Sequence, residues 1–175
     1  MKTAIVTGVT GQDGSYLSEL LLEEGYKVIG VKRRSSTNTT ERITPILNNP
    51  NFIVVEADVT DSGCVYDLVN THKPDEVYNL AAQSHVKTSF DQPDFTFQTN
   101  ALGPLYFLEA IRKYSPTTKF YQASTSEMFG KNFTAADGEA RFQDEDTPLM
   151  PQSPYAVSKV SAHQLVDLYR DAYGI

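Results

Sequence analysis

Thr3-Ala4-Ile5-Val6-Thr7-Gly8-Val9-Thr10-Gly11-Gln12-Asp13-Gly14 is a short β-branched run that ends in glycine, and residues 16–24 follow it with leucines at helical spacing. That order reads as strand, tight turn, helix, because β-branched residues suit an extended chain and leucines three or four apart give a helix one apolar face. The chain therefore opens as a βαβ unit. Residues 27–31, 52–55, 76–80 and 119–124 supply further strands, each short and mostly apolar, as in a parallel sheet covered on both faces. Residues 61–72 read as a helix capped by Thr60 or Asp61 and stopped before Pro74. Residues 95–114 read as one long helix with an apolar stripe through Ala101, Leu105, Leu108 and Ile111. Ser153-Pro154 starts the last helix, with proline at an early position where its missing N–H costs nothing. Such alternation predicts an α/β fold, a Rossmann-like doubly wound parallel sheet with right-handed crossovers.

At 175 residues the chain reads as one domain with one good core. Its net charge of −7 argues against nucleic acid or anionic membranes as the main partner, and points to a small anion met by a local basic patch. One cysteine, Cys64, cannot form an internal disulfide, and neither a secretory signal nor a long apolar span is present, so a soluble, cytoplasmic protein is expected. Cys64 reads as a small residue on a helix face. No metal site is predicted. There is no internal repeat or low-complexity tract. The 130–152 stretch is acidic through Asp137, Glu139, Asp144, Glu145 and Asp146, and is either a lid or a surface insertion.

Gly8, Gly11 and Gly14 fall at the junction of the first strand and first helix, where backbone must approach a pyrophosphate and helix N–H groups can receive it. With Thr10, Gln12 and Asp13 between them they form the predicted cofactor loop. After the second strand, where an NAD-binding protein normally offers an acidic residue to the ribose, the sequence is Lys32-Arg33-Arg34-Ser35-Ser36. Guanidinium forks and hydroxyls suit a 2′-phosphate, so Arg33, Arg34 and Ser35 favour NADP over NAD; a solvated basic turn is the alternative. Asp58-Val59 after the third strand meets the adenine, or Asp58 caps a helix. Leu80-Ala81-Ala82 and Ser84 follow the fourth strand, where small residues let the nicotinamide-side ribose pass.

Tyr155-Ala156-Val157-Ser158-Lys159 places a phenol four residues before an ammonium on one helical face, so the charge can favour the phenolate as a base beside a nicotinamide. Ser124-Thr125-Ser126-Glu127 follows the fifth strand, at the sheet edge where α/β proteins hold their ligands. A hydroxyl, a carboxylate and a phenol around one nicotinamide can do more than transfer hydride, because the carboxylate can remove a proton next to a newly made ketone. Taken singly, Thr125 also reads as a strand-end hydroxyl satisfied by backbone, and Glu127 as a solvated carboxylate.

These residues resemble the N-terminal part of the GDP-mannose 4,6-dehydratases, within the extended short-chain dehydrogenase/reductases. The likeness runs through the GxxGxxG loop to Leu17, Arg33-Arg34-Ser35-Ser36, Asn79-Leu80-Ala81-Ala82-Gln83-Ser84-His85-Val86, Ser124-Thr125-Ser126-Glu127-Met128-Phe129-Gly130 and Ser153-Pro154-Tyr155-Ala156-Val157-Ser158-Lys159. It implies that Tyr155 takes the sugar C4 hydroxyl proton while the C4 hydride passes to NADP⁺. Glu127 then removes the C5 proton, water leaves from C6 with help from Thr125 or Glu127, and the hydride returns to C6. Lys159 helps by its charge and by holding the nicotinamide ribose. The implied partner is GDP-mannose or a related nucleotide sugar, in a homodimer or homotetramer to which residues 33–42 contribute. Ser84 and His85 lie within reach of substrate, or His85 is a packed surface residue. Family members continue for about as many residues again, so the fold is expected to be truncated before a C-terminal substrate domain, with 1–175 forming the NADP-binding domain. A cofactor-binding unit without turnover, and a related epimerase, reductase or dehydratase, remain alternatives.

Overall fold

The computed structural model describes residues 1–135 and 141–175. Five parallel strands form the sheet: β1 (Thr3–Thr7), β2 (Lys27–Lys32), β3 (Phe52–Glu56), β4 (Glu76–Asn79) and β5 (Lys119–Gln122), in spatial order β3-β2-β1-β4-β5. The first strand is therefore central, and the order reverses between β1 and β4. Side chains alternate across the pleat. Ile5, Ile29 and Val77 point to one face, against Val65 and Val69 of α2 (Ser62–His72) and Phe107 and Ile111 of α5 (Gly103–Tyr114). Ala4, Val6 and Val28 point to the other, against Leu21 of α1 (Gln12–Glu23) and Ile43 and Ile46 of a 3-10 segment, Glu41–Ile46. Two dry cores bracket the sheet, which is why its strands read as apolar runs.

Helix starts follow their sequence signals. Asp61 caps α2 by accepting from the amides of Gly63 and Cys64, and Ser153 caps α6 (Pro154–Tyr173) by accepting from the amide of Ala156 at 3.0 Å. Helix α1 begins at Gln12, four residues before the predicted start, because Gly11 already takes the capping position.

The predicted 95–114 helix is present without interruption from Pro93 to Tyr114, but it is not α-helical throughout. Short helices α3 (Val86–Asp91) and α4 (Pro93–Phe97) precede a π-helical turn, Gln98–Leu102, and only then does α5 run. Pro104 supplies the reason: it has no N–H for the carbonyl of Asn100, four residues earlier, and its ring crowds that carbonyl. At the start of α5, Gly103 passes close to Val59, where an added Cβ would lie 3.2 Å from the Val59 carbonyl.

The 130–152 stretch leaves and returns at one point. The Met150 amide donates to the Met128 carbonyl at 2.9 Å, and the Asn132 amide group donates to the Pro148 carbonyl at 2.8 Å. Between them β6 (Thr134–Ala135) and β7 (Arg141–Phe142) pair antiparallel. Asp137 and Glu139 lie outside the described residues.

Candidate active site

A cleft opens at the C-terminal ends of β1 and β4, where the strand order reverses. Thr7, the last residue of β1, builds its floor. Its buried hydroxyl donates to Asn79 Oδ1 at 2.7 Å and accepts from the amides of Leu80 and Ala81, both at 3.0 Å. One side chain thereby fixes the exits of both strands, and Asn79 passes the connection to Gln122 of β5 at 2.8 Å.

Over this floor lies a cavity of about 520 Å³ walled by Gly8, Thr10 and Gly11 after β1 and by Leu80, Ala81, Ala82 and Ser84 after β4. Gly8 has φ +66°, and a Cβ on it would meet the Ala81 nitrogen at 3.0 Å. A Cβ on Gly14 would stand 2.4 Å from the Gly8 carbonyl oxygen, so only glycine lets α1 start this close to the loop. No side chain caps α1 at Gly11, which leaves first-turn N–H groups for an outside acceptor. Gln12 and Asp13 are exposed in that first turn and do not line the cavity; Gly14 acts by packing. A backbone-walled cradle at a helix N-terminus suits a dinucleotide pyrophosphate.

Arg33, Asp58 and Val59 close the same cavity on the β2 and β3 side. Arg33 and Asp58 also line a second cavity, of about 660 Å³, with Arg34, Ser35 and Ser36. Asp58 is not the helix cap; its Oδ1 accepts from the Thr60 amide and hydroxyl at 3.0 and 2.8 Å. Lys32 is salt-bridged to Glu56, and holds that carboxyl below its usual range. Arg33 and Arg34 are thus the cations left facing the second cavity.

Beside the cleft, α6 docks on the end of β5. Lys159 is only 4% exposed, and its ammonium donates to the Ala123 carbonyl at 3.0 Å and lies 5.9 Å from the Tyr155 ring centroid. Burial pulls the Lys159 pKa down to about 8. Ser124 is within 3.3 Å of His163 Nδ1, one turn further along α6. The strand therefore delivers Thr125 and Glu127 beside the helix that carries Tyr155 and Lys159. Thr125 caps a 3-10 turn over Ser126–Met128, its hydroxyl oxygen accepting from the Glu127 amide at 3.3 Å, which leaves its proton to donate elsewhere. Glu127 is exposed. His85 uses Nδ1 to cap α3, accepting from the Thr88 amide at 3.2 Å, in keeping with the packing alternative.

Several participants have no role in the sequence reading. Asn100, in the π-helical turn, accepts from the Gln83 amide at 2.9 Å, donates back to the Gln83 carbonyl at 3.0 Å, and donates to Ser158 Oγ at 3.2 Å. Ser158 donates in turn to the Tyr155 carbonyl at 2.7 Å. This chain ties the cleft wall after β4 to the catalytic-type helix. Its one sequence signal is an asparagine beside Ala101 on an otherwise apolar stripe. Gln83, Phe95 and Thr99 also line the first cavity, and nothing in their spacing marks them. Gln83 Oε1 is the one buried side-chain polar atom without a hydrogen-bond partner among the described residues.

Parallel order 3-2-1-4-5, a glycine loop over the switch point and a Tyr-Lys helix docked on β5 define a Rossmann-like protein of the short-chain dehydrogenase/reductase kind. Solved structures agree: the UDP-glucose 4-epimerase of Thermotoga maritima superposes with a TM-score of 0.84 at 30% identity, covering 99% of this chain and 52% of that one. The dTDP-glucose 4,6-dehydratase of Bacillus anthracis, solved with NAD, gives 0.81 at 26% identity over 99% and 52%. The family model described as GDP-mannose 4,6 dehydratase matches residues 5–175, and the chain belongs to that family. The GDP-mannose 4,6-dehydratase of Vibrio cholerae is 49% identical over 99% of this chain and 47% of its own length, and the human GDP-mannose 4,6 dehydratase 44% over 98% and 47%. The chain spans about half the length of the curated relatives it matches. Among the described residues no helix is long and apolar enough to cross a membrane.

Proposed function

We propose that residues 1–175 are the NADP-binding, catalytic-helix domain of a sugar-nucleotide 4,6-dehydratase that converts GDP-mannose to GDP-4-dehydro-6-deoxymannose, in a homodimer or homotetramer. The observation that carries this reading is the docking of Lys159 on the Ala123 carbonyl, which sets the helix of Tyr155 against the end of the strand that leads into Thr125 and Glu127. Gly8, Gly11 and the first turn of α1 would hold the pyrophosphate, Arg33, Arg34 and Ser35 the 2′-phosphate, and Leu80, Ala81 and Ala82 the nicotinamide ribose side. NADP, when bound, supplies a site that takes a hydride from C4 of the sugar and returns it to C6.

Tyr155 Oη takes the C4 hydroxyl proton, with the Lys159 ammonium supplying positive charge from the same helical face. The resulting C4 carbonyl acidifies the C5 hydrogen, so a base is needed only after oxidation. Glu127 is that base, since its carboxylate is exposed and, among the described residues, has no hydrogen bond or ion pair to give up before it meets the sugar. A proton for the departing C6 hydroxyl comes from Thr125 Oγ1 or from Glu127, and the bond from C6 to oxygen breaks as water forms.

The test is product mass after incubation with GDP-mannose and substoichiometric NADP⁺, with bound cofactor checked on the same sample. A product lighter by one water supports the dehydratase, an unchanged mass with an inverted centre an epimerase, and stoichiometric NADPH loss a reductase. Glu127→Gln should still reduce NADP⁺ but stall before water loss, whereas Tyr155→Phe should abolish both steps. Normal turnover by Glu127→Gln removes Glu127 from the role of C5 base. A second reading, cofactor binding without turnover, is favoured by two cavities lined by the expected cofactor residues and by none of Thr125, Glu127, Tyr155 and Lys159; bound NADP with unchanged sugar is its signature.

A further inference from the structure

We propose that Phe95 is the positioning residue for Arg33 and through it sets the preference for a 2′-phosphate on the cofactor; the inference rests on the NADP reading above. Arg33 projects from the end of β2 and forms part of the wall shared by the two cavities. Its guanidinium carbon lies 5.9 Å from the centroid of the Phe95 ring, which lines the first cavity from α4. Sixty-two positions in sequence separate the two residues, so the contact belongs to the fold and not to a local turn.

A ring quadrupole attracts the cation as a whole, while the five N–H donors of a guanidinium remain able to bind an oxyanion. Among the described residues no hydrogen bond or ion pair engages those donors. The neighbouring Lys32 differs, since Glu56 already neutralises it. An exposed arginine otherwise samples many rotamers, and ordering it on phosphate binding has an entropic cost that a preformed stack reduces.

Phe95 is itself held in place. Thr96 and Thr99, which follow it in the helix, are buried, and their hydroxyls are satisfied within the helix by the Gln92 and Phe95 carbonyls at 2.8 and 2.9 Å, so the backbone that carries the ring is packed in place. A half-buried ring on a pinned backbone can orient a mobile cation. Arg34, Ser35 and Ser36 line the same second cavity, so a phosphate there would meet Arg33 together with them.

The experiment compares dissociation constants for NADPH and NADH by calorimetry in the wild type, Phe95→Leu, Phe95→Tyr and Arg33→Ala, and in Phe95→Leu combined with Arg33→Ala, each checked for an unchanged thermal midpoint. Phe95→Leu should weaken NADPH about three-fold, the factor expected for an exposed cation–π contact, and leave NADH unchanged. Phe95→Tyr keeps the ring and should keep the wild-type ratio. In the Arg33→Ala background, Phe95→Leu should have no further effect on NADPH. Equal weakening of both cofactors, or the same loss without Arg33, overturns the proposal by making Phe95 a plain wall residue. An NADPH-to-NADH affinity ratio that Phe95→Leu leaves at its wild-type value also overturns it and leaves the NADP reading intact. A wild type that binds NADH as tightly as NADPH sinks the NADP reading itself.

Discussion

Replacing Lys159 by methionine is expected to stabilise the folded chain while removing the ammonium from the active site. Lys159 is 4% exposed, and burial takes its pKa from 10.5 to about 8. At roughly 1.4 kcal/mol for each tenfold change in proton affinity, that descent amounts to ~3 kcal/mol of folding free energy lost to drying the charge. Methionine gives back the hydrogen bond to the Ala123 carbonyl, worth about 1 kcal/mol, so a net gain of ~2 kcal/mol remains at pH 7. The advantage fades as pH rises and then changes sign. Below pH 8 lysine is charged in both states and folding carries the whole cost. From pH 8 to 10.5 the folded state has shed its proton while the unfolded chain retains it, so wild-type stability rises and the variant's advantage shrinks; above 10.5 the missing hydrogen bond leaves the variant the less stable by about 1 kcal/mol. In urea at pH 7 the midpoint should rise by about 1 M for a slope of about 2 kcal/mol per M, and by much less at pH 10. A variant that is less stable at pH 7, or whose advantage does not change with pH, refutes the idea that this lysine is held in place at the expense of stability.

Gly14→Ala should abolish cofactor binding and destabilise the chain by more than about 2 kcal/mol, since its Cβ would stand 2.4 Å from the Gly8 carbonyl; calorimetry and denaturation on one sample check both. Thr7→Val keeps the shape but leaves Asn79 and two backbone amides short of a partner in the cleft floor, and should cost ~2–4 kcal/mol in urea denaturation. Arg112 and the Tyr169 hydroxyl hold the Glu109 carboxyl at about 2, tying α5 to α6. That carboxyl contributes stability above its unfolded value near 4.5, and the contribution is lost as pH falls towards 2. Tyr169→Phe should therefore flatten the acid limb of stability between those values while changing little in its shape above pH 5.

How much of the site was legible depended on how local each residue's task is. Gly8, Gly11 and Gly14 announce themselves because a backbone turn and a helix start are settled within a dozen residues, and Gly14 shows the constraint directly in its contact with Gly8. The Ser153 cap and the four-residue spacing from Tyr155 to Lys159 were readable for the same reason: helix geometry alone puts them where they are. The 95–114 helix was legible from its apolar stripe, whereas the π-helical turn inside it was not, because a stripe does not report hydrogen-bond register, although Pro104 lay in plain view.

Chain order alone determined the fold class, since short apolar strands alternating with amphipathic helices admit few right-handed parallel arrangements. The tertiary structure alone decided which distant groups meet. Asn100 stitches Gln83 to Ser158, Thr7 joins the ends of β1 and β4, Phe95 lies against Arg33, and the Ala123 carbonyl receives the Lys159 ammonium. None of these pairs shares an element, so no periodicity encodes them. They form because two dry cores fix the sheet and helices rigidly, and buried polar groups must then find partners among whatever side chains the packing has brought within reach.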